Sequence, residues 1–123
     1  MIPVIDFQSN TVLDEIREAY TTVGFAVFTN TLNQQDQKTM HHWFDYMKQF
    51  FELDLDTKKQ YSYQAENNLG YSVMGAENVD PTAPKDMKES FNYNDTRMPE
   101  ELWPTEVDLR TTGLETIRIA DDL

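Results

Sequence analysis

The sequence predicts an α+β fold that starts as a strand-helix-strand-helix segment and continues through a loop, a further strand and a last helix. Three observations lead to this prediction. Residues 2–7 and 25–29 are rich in β-branched and aromatic side chains, a composition typical of strands. Apolar residues recur at helical spacing after each of these stretches. Residues 87–94 place their side chains with a period of two, which is the repeat of a half-buried strand.

The first strand, residues 2–7, leads into a helix that we expect to end at Gly24, because glycine is a common C-terminal stop. Polar residues at 9–11 offer side-chain oxygens for the N-terminal cap of this helix. The second strand, 25–29, follows directly, so the order of strand, helix and strand suggests a βαβ-like unit, although this pattern does not itself supply the pairing of the two strands. We expect one apolar stripe of the helix to be buried, and its members are Val12, Ile16, Ala19, Tyr20 and Val23.

The second helix has the clearest amphipathic pattern of the chain. Asn33 provides its cap, and the negative charge of Asp36 complements the positive end of the helix dipole. Residues 54–57 end the helix, and we expect a short further turn to start at Thr57. An aromatic stripe on one helix face is typical of core packing and not of a cofactor pocket. The stripe consists of Met40, Trp43, Phe44, Met47, Phe50 and Phe51.

Residues 68–94 combine a glycine-punctuated loop with the strand predicted at 87–94. Gly70 and Gly75 permit backbone conformations that a Cβ obstructs, and two prolines keep the chain extended or turning. One face of the strand can pack while the other stays polar, which indicates the lining of a site. The first face carries Met87, Glu89, Phe91 and Tyr93, and the polar face carries Lys88, Ser90, Asn92 and Asn94.

Three tyrosines, Tyr61, Tyr63 and Tyr71, cluster at the start of this loop. In one interpretation they are amphipathic cover, with the ring buried and the hydroxyl in water. In the other they form a wall of a substrate site, since loops often carry functional residues. Both interpretations are open at the level of the sequence.

The last helix is predicted to begin near residues 106–110, after a polar connection that ends at Trp103-Pro104. We expect it to continue despite Gly113. Asp121-Asp122 places negative charge at the negative end of the helix dipole, so we expect that the chain is cut within this helix. The predicted apolar stripe contains Leu114, Ile117, Ala120 and Leu123.

Composition limits the classes of function. With 123 residues the chain forms one domain or part of one. A net charge of −12 argues against nucleic acid and against an anionic membrane as partners. Because there is no cysteine, a disulfide framework and a thiolate metal site are excluded. The sequence shows neither a signal peptide nor an apolar run of about 20 residues, so a cytoplasmic protein is the default expectation.

Several short motifs follow one another along nearly the whole chain. They are Ile2-Pro3-Val4-Ile5-Asp6, Gly24-Phe25, Phe50-Phe51-x-Leu53 with Lys58, Gly70-Tyr71, Gly75-x-Glu77, Asp86-x-Lys88-Glu89-Ser90-Phe91 and Trp103-Pro104. This ordered set resembles the N-terminal region of the isopenicillin N synthase-like iron(II)/2-oxoglutarate-dependent dioxygenases. The resemblance implies strands that extend a double-stranded β-helix (jelly roll) core, and this core is not present in the chain. It also implies Fe(II) and 2-oxoglutarate as cofactors of the complete enzyme.

The iron ligands of that family are missing from this sequence. Such a site needs two histidines and a carboxylate, and the resembled family supplies them as a His-x-Asp pair and a distant His. The chain has only His41 and His42, neither of which heads a His-x-Asp pair, and no arginine heads the Arg-x-Ser pair that holds 2-oxoglutarate. Adjacent helical residues point about 100° apart, so we interpret both histidines as surface residues, with a weak surface site shared with Asp45 as the alternative. We therefore predict no catalytic and no metal-binding residue here.

The resemblance implies a different contribution from this region, which packs on the jelly roll in relatives and contacts the substrate over the iron. Mapped by motif, the substrate-binding candidates are Asn68, Tyr71, Ser72, Ser90 and Asn92. The alternative for each of them is ordinary hydrogen bonding within loop and strand. Synthase-like relatives place an arginine at the position of Asn68 to grip a substrate carboxylate, so an anionic substrate does not carry over from the resemblance.

Two hypotheses of different class follow. In the first, residues 1–123 are a non-haem dioxygenase N-terminal domain that is incomplete because the C-terminal jelly-roll catalytic domain is missing. It supplies scaffold and contacts to a small organic substrate, and it is inactive alone. In the second, the chain is a stand-alone binding or interaction module derived from such an enzyme, and its open strand edges are covered by a partner or by self-association. The loop motifs speak against a third interpretation, a plain acidic helical domain.

Overall fold

Short strands and helices are mixed along the chain, which confirms the predicted α+β class. The computed structural model describes residues 1–78 and 80–123. The elements are β1 (Val4–Asp6), α1 (Val12–Thr22), β2 (Val27–Thr29), α2 (Gln34–Glu52), α3 (Leu55–Lys59), β3 (Gly70–Ser72), β4 (Ser90–Asn92), a 3-10 turn (Glu100–Leu102) and α4 (Leu109–Asp122). Within the described residues, the strands form two two-stranded sheets and no closed barrel. Among residues 1–78 and 80–123, no helix is long and apolar enough to cross a membrane.

The chain divides into two units. The first contains Met1–Lys38 together with Leu123, and the second contains Thr39–Asp122. In the first unit β1 and β2 pair in parallel, with Ile5 opposite Phe28, and α1 connects them. This arrangement confirms the predicted βαβ unit. Both strands are shorter than the stretches from which they were predicted, because only three residues on each side complete the ladder.

The ends of α1 agree with the sequence in position but differ in the cap. Thr11 occupies the N-cap position without capping through its side chain, since its hydroxyl instead donates to Glu15 Oε2 at 3.1 Å. At the other end Gly24 has φ +85° and donates its N–H to the carbonyl of Ala19 at 2.9 Å. A left-handed backbone of this kind is why glycine stands at the stop.

The predicted burial of the apolar stripe of α1 is wrong for two of its five members, while Val12 and Ile16 are half-buried. Ala19 is buried, but Tyr20 is 54% exposed and Val23 is 42% exposed. The helix packs on β1, where a small alanine side chain allows a close approach to Ile5. Tyr20 and Val23 lie beside that contact line and leave much of their apolar surface in solvent.

α2 has the predicted cap, because Asn33 Oδ1 accepts the backbone N–H of Asp36 at 2.8 Å. Its aromatic stripe is buried only in part. Phe50 is 0% exposed, whereas Phe44 is 61% exposed, so the prediction of core packing is wrong for Phe44. The buried core lies against the C-terminal end of the helix. Phe44 stands nearly two turns earlier, where its ring meets the edge of Trp43 at a centroid distance of 5.2 Å.

Phe50 lies at the centre of an aromatic core in the second unit. Its ring centroid is 5.1 Å from that of Phe91, 5.9 Å from that of Tyr71 and 6.3 Å from that of Tyr61. Each aromatic pair of this geometry adds about 0.5–1.5 kcal/mol beyond the burial of its area. The buried members of the cluster are Phe50, Tyr61, Tyr71, Phe91, Trp103, Val107 and Leu109.

A strand stands where the sequence predicted only a loop. Gly70–Ser72 forms β3 and pairs antiparallel with β4. At Gly70, φ is +103°, and a Cβ there would lie 2.8 Å from the carbonyl oxygens of Tyr61 and Ser62. The glycine therefore lets β3 run close beside the preceding segment, where Tyr71 N–H donates to the carbonyl of Tyr61 at 2.7 Å. A three-residue strand that begins with glycine has too little periodicity to be recognised in a sequence.

β4 is shorter than the alternation at 87–94 predicted. Only Ser90–Asn92 join the ladder, because the partner strand has three residues. Phe91 is buried as predicted, but Met87 is 86% exposed and lies before the strand, so its assignment to a packed face is wrong.

α4 begins at Leu109, within the predicted range, but it buries a different stripe. Gly113 is buried because the ring of Tyr93 occupies the space beside it, where a Cβ would lie 2.9 Å from Cε2 of that ring. The Tyr93 hydroxyl is 2.7 Å from the hydroxyl of Thr116, which is buried as well. This contact turns the glycine face inward and leaves Ala120 exposed. The buried residues of α4 are Leu109, Gly113, Thr116 and Ile119. Of the predicted stripe, Leu114 is half-buried against the aromatic core and Ile117 is half-buried, whereas Ala120 and Leu123 are exposed, so the prediction is wrong for these last two.

Candidate functional site

The β3–β4 pair has one polar and one apolar face. Ser72 lies opposite Ser90, and Asn92 lies opposite Gly70, so these side chains share one face of the pair. Tyr71 lies opposite Phe91 on the other face. The alternation in the sequence therefore assigned Ser90 and Asn92 correctly to the polar face.

Four of the five predicted substrate-binding residues lie on or beside this polar face. Asn68 precedes β3 with a left-handed backbone, φ +61°, and its Oδ1 is 3.5 Å from Nδ2 of Asn92. Ser90 donates its hydroxyl to Glu77 Oε1 at 3.2 Å, with Ser72 across the ladder. We call Asn68, Ser72, Ser90 and Asn92 the polar platform. Contact of the platform with a substrate stays a prediction.

The fifth candidate, Tyr71, is placed apart from the platform. It is 2% exposed and lies in the aromatic core. Its hydroxyl donates to Glu89 Oε2 at 2.5 Å, and the same oxygen is 2.9 Å from Nζ of Lys58. Lys58 Nζ also donates to the carbonyl of Phe51 at 2.9 Å. We call Lys58, Tyr71 and Glu89 the buried cluster, and its contacts join α2, α3, β3 and the approach to β4.

α3 brings Lys58 into this cluster. The helix begins at Leu55, two residues earlier than the predicted turn, because Asp54 caps it by accepting the backbone N–H of Thr57 at 2.9 Å. Lys58 is then 7% exposed, and its Nζ lies 5.4 Å from the centroid of the Tyr71 ring. A lysine this deeply buried needs both the carboxylate and the ring beside it.

The buried cluster shifts the pKa of two of its members. Burial raises the pKa of the Tyr71 hydroxyl, and the hydrogen bond to the Glu89 carboxylate raises it further. For Glu89, burial opposes ionisation, but the hydrogen bonds from Tyr71 and Lys58 and the lysine charge outweigh it. The pKa of Glu89 is therefore lowered. The cluster is held as a neutral tyrosine on an ionised carboxylate.

Neither interpretation of the three tyrosines holds for all of them. The rings of Tyr61 and Tyr71 are buried, as amphipathic cover requires, but their hydroxyls bond to carboxylates instead of water. Tyr61 donates to Glu106 Oε2 at 2.7 Å. Tyr63 is 40% exposed and donates to Oδ1 of Asn68 at 3.0 Å, so it is the tyrosine that reaches the polar platform.

A groove of about 490 Å³ opens beside the platform, within the second unit. Asn68 and Asn92 line it, whereas Ser72 and Ser90 lie outside its lining. The groove is also lined by residues that sequence reasoning missed, among them Asn94 and Arg97. The available signal was their place in a polar loop directly after a strand, where binding residues are often found. The full lining is Asn67, Asn68, Leu69, Phe91, Asn92, Tyr93, Asn94 and Arg97.

The two histidines do not form part of a metal centre in this structure. His41 and His42 are both exposed on α2. Among residues 1–78 and 80–123, no three or more histidine, aspartate or glutamate side chains are placed to hold a metal ion together. The residues present therefore do not fit the two-histidine, one-carboxylate set that non-haem iron requires.

Comparison with known proteins places the chain in a family. Neither a curated protein nor a solved structure matches it. A family model does match, over residues 2–107, and its description is the N-terminal region of the non-haem dioxygenase in morphine synthesis. The matched segment includes the polar platform, the buried cluster and the groove. Since the match spans most of the sequence, the chain belongs to the family of non-haem dioxygenase N-terminal domains.

Proposed function

We propose that this chain is the N-terminal segment of an iron(II)/2-oxoglutarate-dependent oxygenase, and that it supplies scaffold and substrate contacts but not the metal site. The family match over residues 2–107 carries the proposal. The position of four candidate side chains on or beside one polar face of the β3–β4 pair supports the part that concerns the substrate.

The described residues of this chain can contact a substrate but do not form a metal site. No histidine and carboxylate set for iron is assembled in the described part, so the metal and 2-oxoglutarate belong to a C-terminal jelly-roll domain. The complete enzyme would oxidise a small organic substrate while 2-oxoglutarate is decarboxylated, with iron as the redox centre. Within this chain, the platform offers amides and hydroxyls that can orient a polar substrate by hydrogen bonds.

The buried cluster gives the platform a fixed support. Tyr71 projects from β3 and Glu89 directly precedes β4, and both are joined to Lys58 on α3. Because these contacts fix the two strands on their apolar side, the side chains of the polar platform on the opposite face are held in place before a substrate binds. Such preorganisation lowers the entropy that binding must overcome.

The coding sequence that follows Leu123 tests this proposal. We expect it to encode a His-x-Asp pair, a later histidine and an Arg-x-Ser pair. A protein extended by this sequence is expected to form succinate and carbon dioxide from 2-oxoglutarate with Fe(II) and molecular oxygen, and the 123-residue chain is expected to form none. A stop directly after Leu123, with no such coding sequence in the same frame, would contradict the proposal.

A stand-alone binding module is the second candidate. It is favoured by one observation, the aromatic core around Phe50, whose buried members all belong to the second unit. Sedimentation of the purified chain separates the candidates. A folded monomer supports the module, and a folded species that self-associates through its open strand edges supports the segment of an oxygenase.

A further inference from the structure

The groove beside the platform presents amide donors that the protein leaves free. Asn68 Oδ1 accepts from the Tyr63 hydroxyl at 3.0 Å and from Asn92 Nδ2 at 3.5 Å. Since both bonds use its oxygen, Nδ2 of Asn68 has no hydrogen-bond partner among the described residues. Asn94 Oδ1 accepts the backbone N–H of Arg97 at 2.8 Å, which leaves Nδ2 of Asn94 free in the same way.

Arg97 adds a positive charge to these donors. Its side chain forms no ion pair with residues 1–78 or 80–123, and no residue that lines the groove carries a carboxylate. The other arginines of the described chain are each paired: Arg17 with Asp14, Arg110 with Glu100, and Arg118 with Glu115 and Asp122. In a chain with a net charge of −12, an arginine without a carboxylate partner in a groove is the exception.

We propose that the groove binds the carboxylate of a small organic monoanion, with Arg97 as the charged anchor and the free amides of Asn68 and Asn94 as neutral donors. A guanidinium presents a planar fork of N–H groups that matches a carboxylate with two parallel hydrogen bonds. This inference rests on the proposed function, because it assigns a chemical class to the substrate that the platform contacts. The charged anchor comes from the loop after β4 and not from position 68.

The charge balance favours a monoanion over a phosphate or a dicarboxylate. The acidic chain repels any anion at long range, and the repulsion grows with the charge of the ligand. The groove offers one guanidinium against this repulsion, together with neutral amides. One cation offsets one negative charge, so a second charge on the ligand would be left uncompensated.

Titration of the ¹⁵N-labelled chain, followed by NMR, tests the proposal with three probes. N-acetylglycine carries a carboxylate, N-acetylglycinamide is its neutral match, and inorganic phosphate is the general anion. We expect N-acetylglycine to cause saturable shifts at residues 67–69 and 91–94 and at Nε of Arg97. The amide and the phosphate are expected to bind at least about tenfold more weakly. The amide has no charge to pair with the guanidinium, and the phosphate carries negative charge that one guanidinium does not offset.

Variants assign the effect to one side chain. Arg97→Gln is expected to weaken N-acetylglycine binding about tenfold or more, and Arg97→Lys, which keeps the charge and loses the fork, to weaken it less. Arg110→Gln removes the same charge from an arginine that is already paired with Glu100, so it is the matched control and is expected to bind as the parent chain does. Both positions are exposed, and the dispersion of the amide spectrum reports whether each of the three variants stays folded.

Each contrary result has its own meaning. Unchanged binding by Arg97→Gln, or tighter binding of phosphate than of N-acetylglycine, would overturn the carboxylate assignment. Equal binding of N-acetylglycine and its amide, lost in Asn92→Ala, would also overturn it, while the platform would keep its role in substrate contact. The proposed function is tested separately by the coding sequence after Leu123, whose content does not affect this titration.

Discussion

The two units of the chain differ in how they use apolar side chains. The first unit, Met1–Lys38 with Leu123, buries Ile5 and Ala19 and exposes most of its other large apolar residues. The second unit, Thr39–Asp122, gathers its aromatic rings around Phe50. The large apolar residues exposed in the first unit include Ile2, Val4, Phe7, Leu13, Tyr20, Val23, Phe25 and Val27.

This difference indicates that most of the stability of the chain comes from the second unit. Burial of a large apolar side chain contributes about 1.5–3 kcal/mol, so seven buried core residues outweigh two. The second unit therefore has a core of its own, and the candidate site lies on it. The first unit has a βαβ frame with too little buried surface to be expected to fold alone.

The largest expected effect is the loss of Phe50. Phe50→Ala removes the central ring of the second unit and is expected to lower the free energy of unfolding by about 3–5 kcal/mol. Phe44→Ala, on the same helix but 61% exposed, is the control and is expected to change it by about 0.5 kcal/mol or less. Urea denaturation followed by tyrosine and tryptophan fluorescence measures both. Equal losses would show that the second unit is not organised around this ring.

One glycine from each unit, Gly70 and Gly24, allows the effect of an added Cβ to be compared between the units. Gly70→Ala combines a left-handed backbone with a Cβ 2.8 Å from two carbonyl oxygens, so we expect a cost of about 2–4 kcal/mol. At Gly24, φ is +85° but a Cβ would meet nothing within 4 Å, so Gly24→Ala is expected to cost about 1–2 kcal/mol. Thermal melting of the two variants gives the difference. A larger cost at Gly24 would contradict the close approach at β3.

The buried cluster is expected to make the second unit sensitive to acid. The pKa of Glu89 lies below its ordinary value of 4.5, so the ionised group stabilises the fold above that pH. This stability is lost as the pH falls through the lowered pKa. Glu89→Gln leaves the ammonium of Lys58, whose side chain is 9% exposed, without its counter-charge, and is expected to cost about 2–3 kcal/mol at neutral pH.

The pH dependence identifies the cause of that loss. The difference in stability between the parent chain and Glu89→Gln is expected to shrink as the pH falls below about 4. Glu77→Gln is the control, because the Glu77–Lys88 pair is exposed, and it is expected to cost about 0.5 kcal/mol or less. A difference that stays constant from neutral pH to pH 3 would show that the charge of Glu89 is not responsible.

The smallest expected effect on stability is at the polar platform. Ser90→Ala and Asn92→Ala are expected to change the free energy of unfolding by about 0.5 kcal/mol or less, since both residues lie outside the aromatic core. In the protein extended beyond Leu123 the same variants are expected to lower kcat/KM about tenfold, while Thr22→Ala on α1 leaves it unchanged. Full activity of both platform variants would remove the platform from the account of substrate binding.

Local patterns in the sequence predicted the elements that depend on local forces. The cap at Asn33, the stop at Gly24 and the βαβ order follow from side-chain chemistry within a few residues. The face of α4 could not be predicted in this way, because it is decided by the ring of Tyr93 against Gly113. β3 was missed for a similar reason, since a strand of three residues is defined by its partner.

The candidate site likewise contains residues that a local pattern predicted and residues that only the fold brings together. Alternation identified Ser90 and Asn92, whose positions depend on the period of one strand. The pairing of Lys58 with Glu89 spans 31 residues, and the groove brings Asn68 together with Arg97. Contacts between residues so distant in the chain are set by the fold, and no local pattern in the sequence carries them.

The most direct test of the account is to titrate the purified 123-residue chain with Fe(II) under anaerobic conditions, and then to add 2-oxoglutarate and oxygen and measure succinate. The account predicts no stoichiometric tight binding of the ion and no succinate, because the proposal assigns the iron ligands to a part of the enzyme outside these 123 residues. Tight binding of one ferrous ion per chain, with turnover of 2-oxoglutarate, would contradict it.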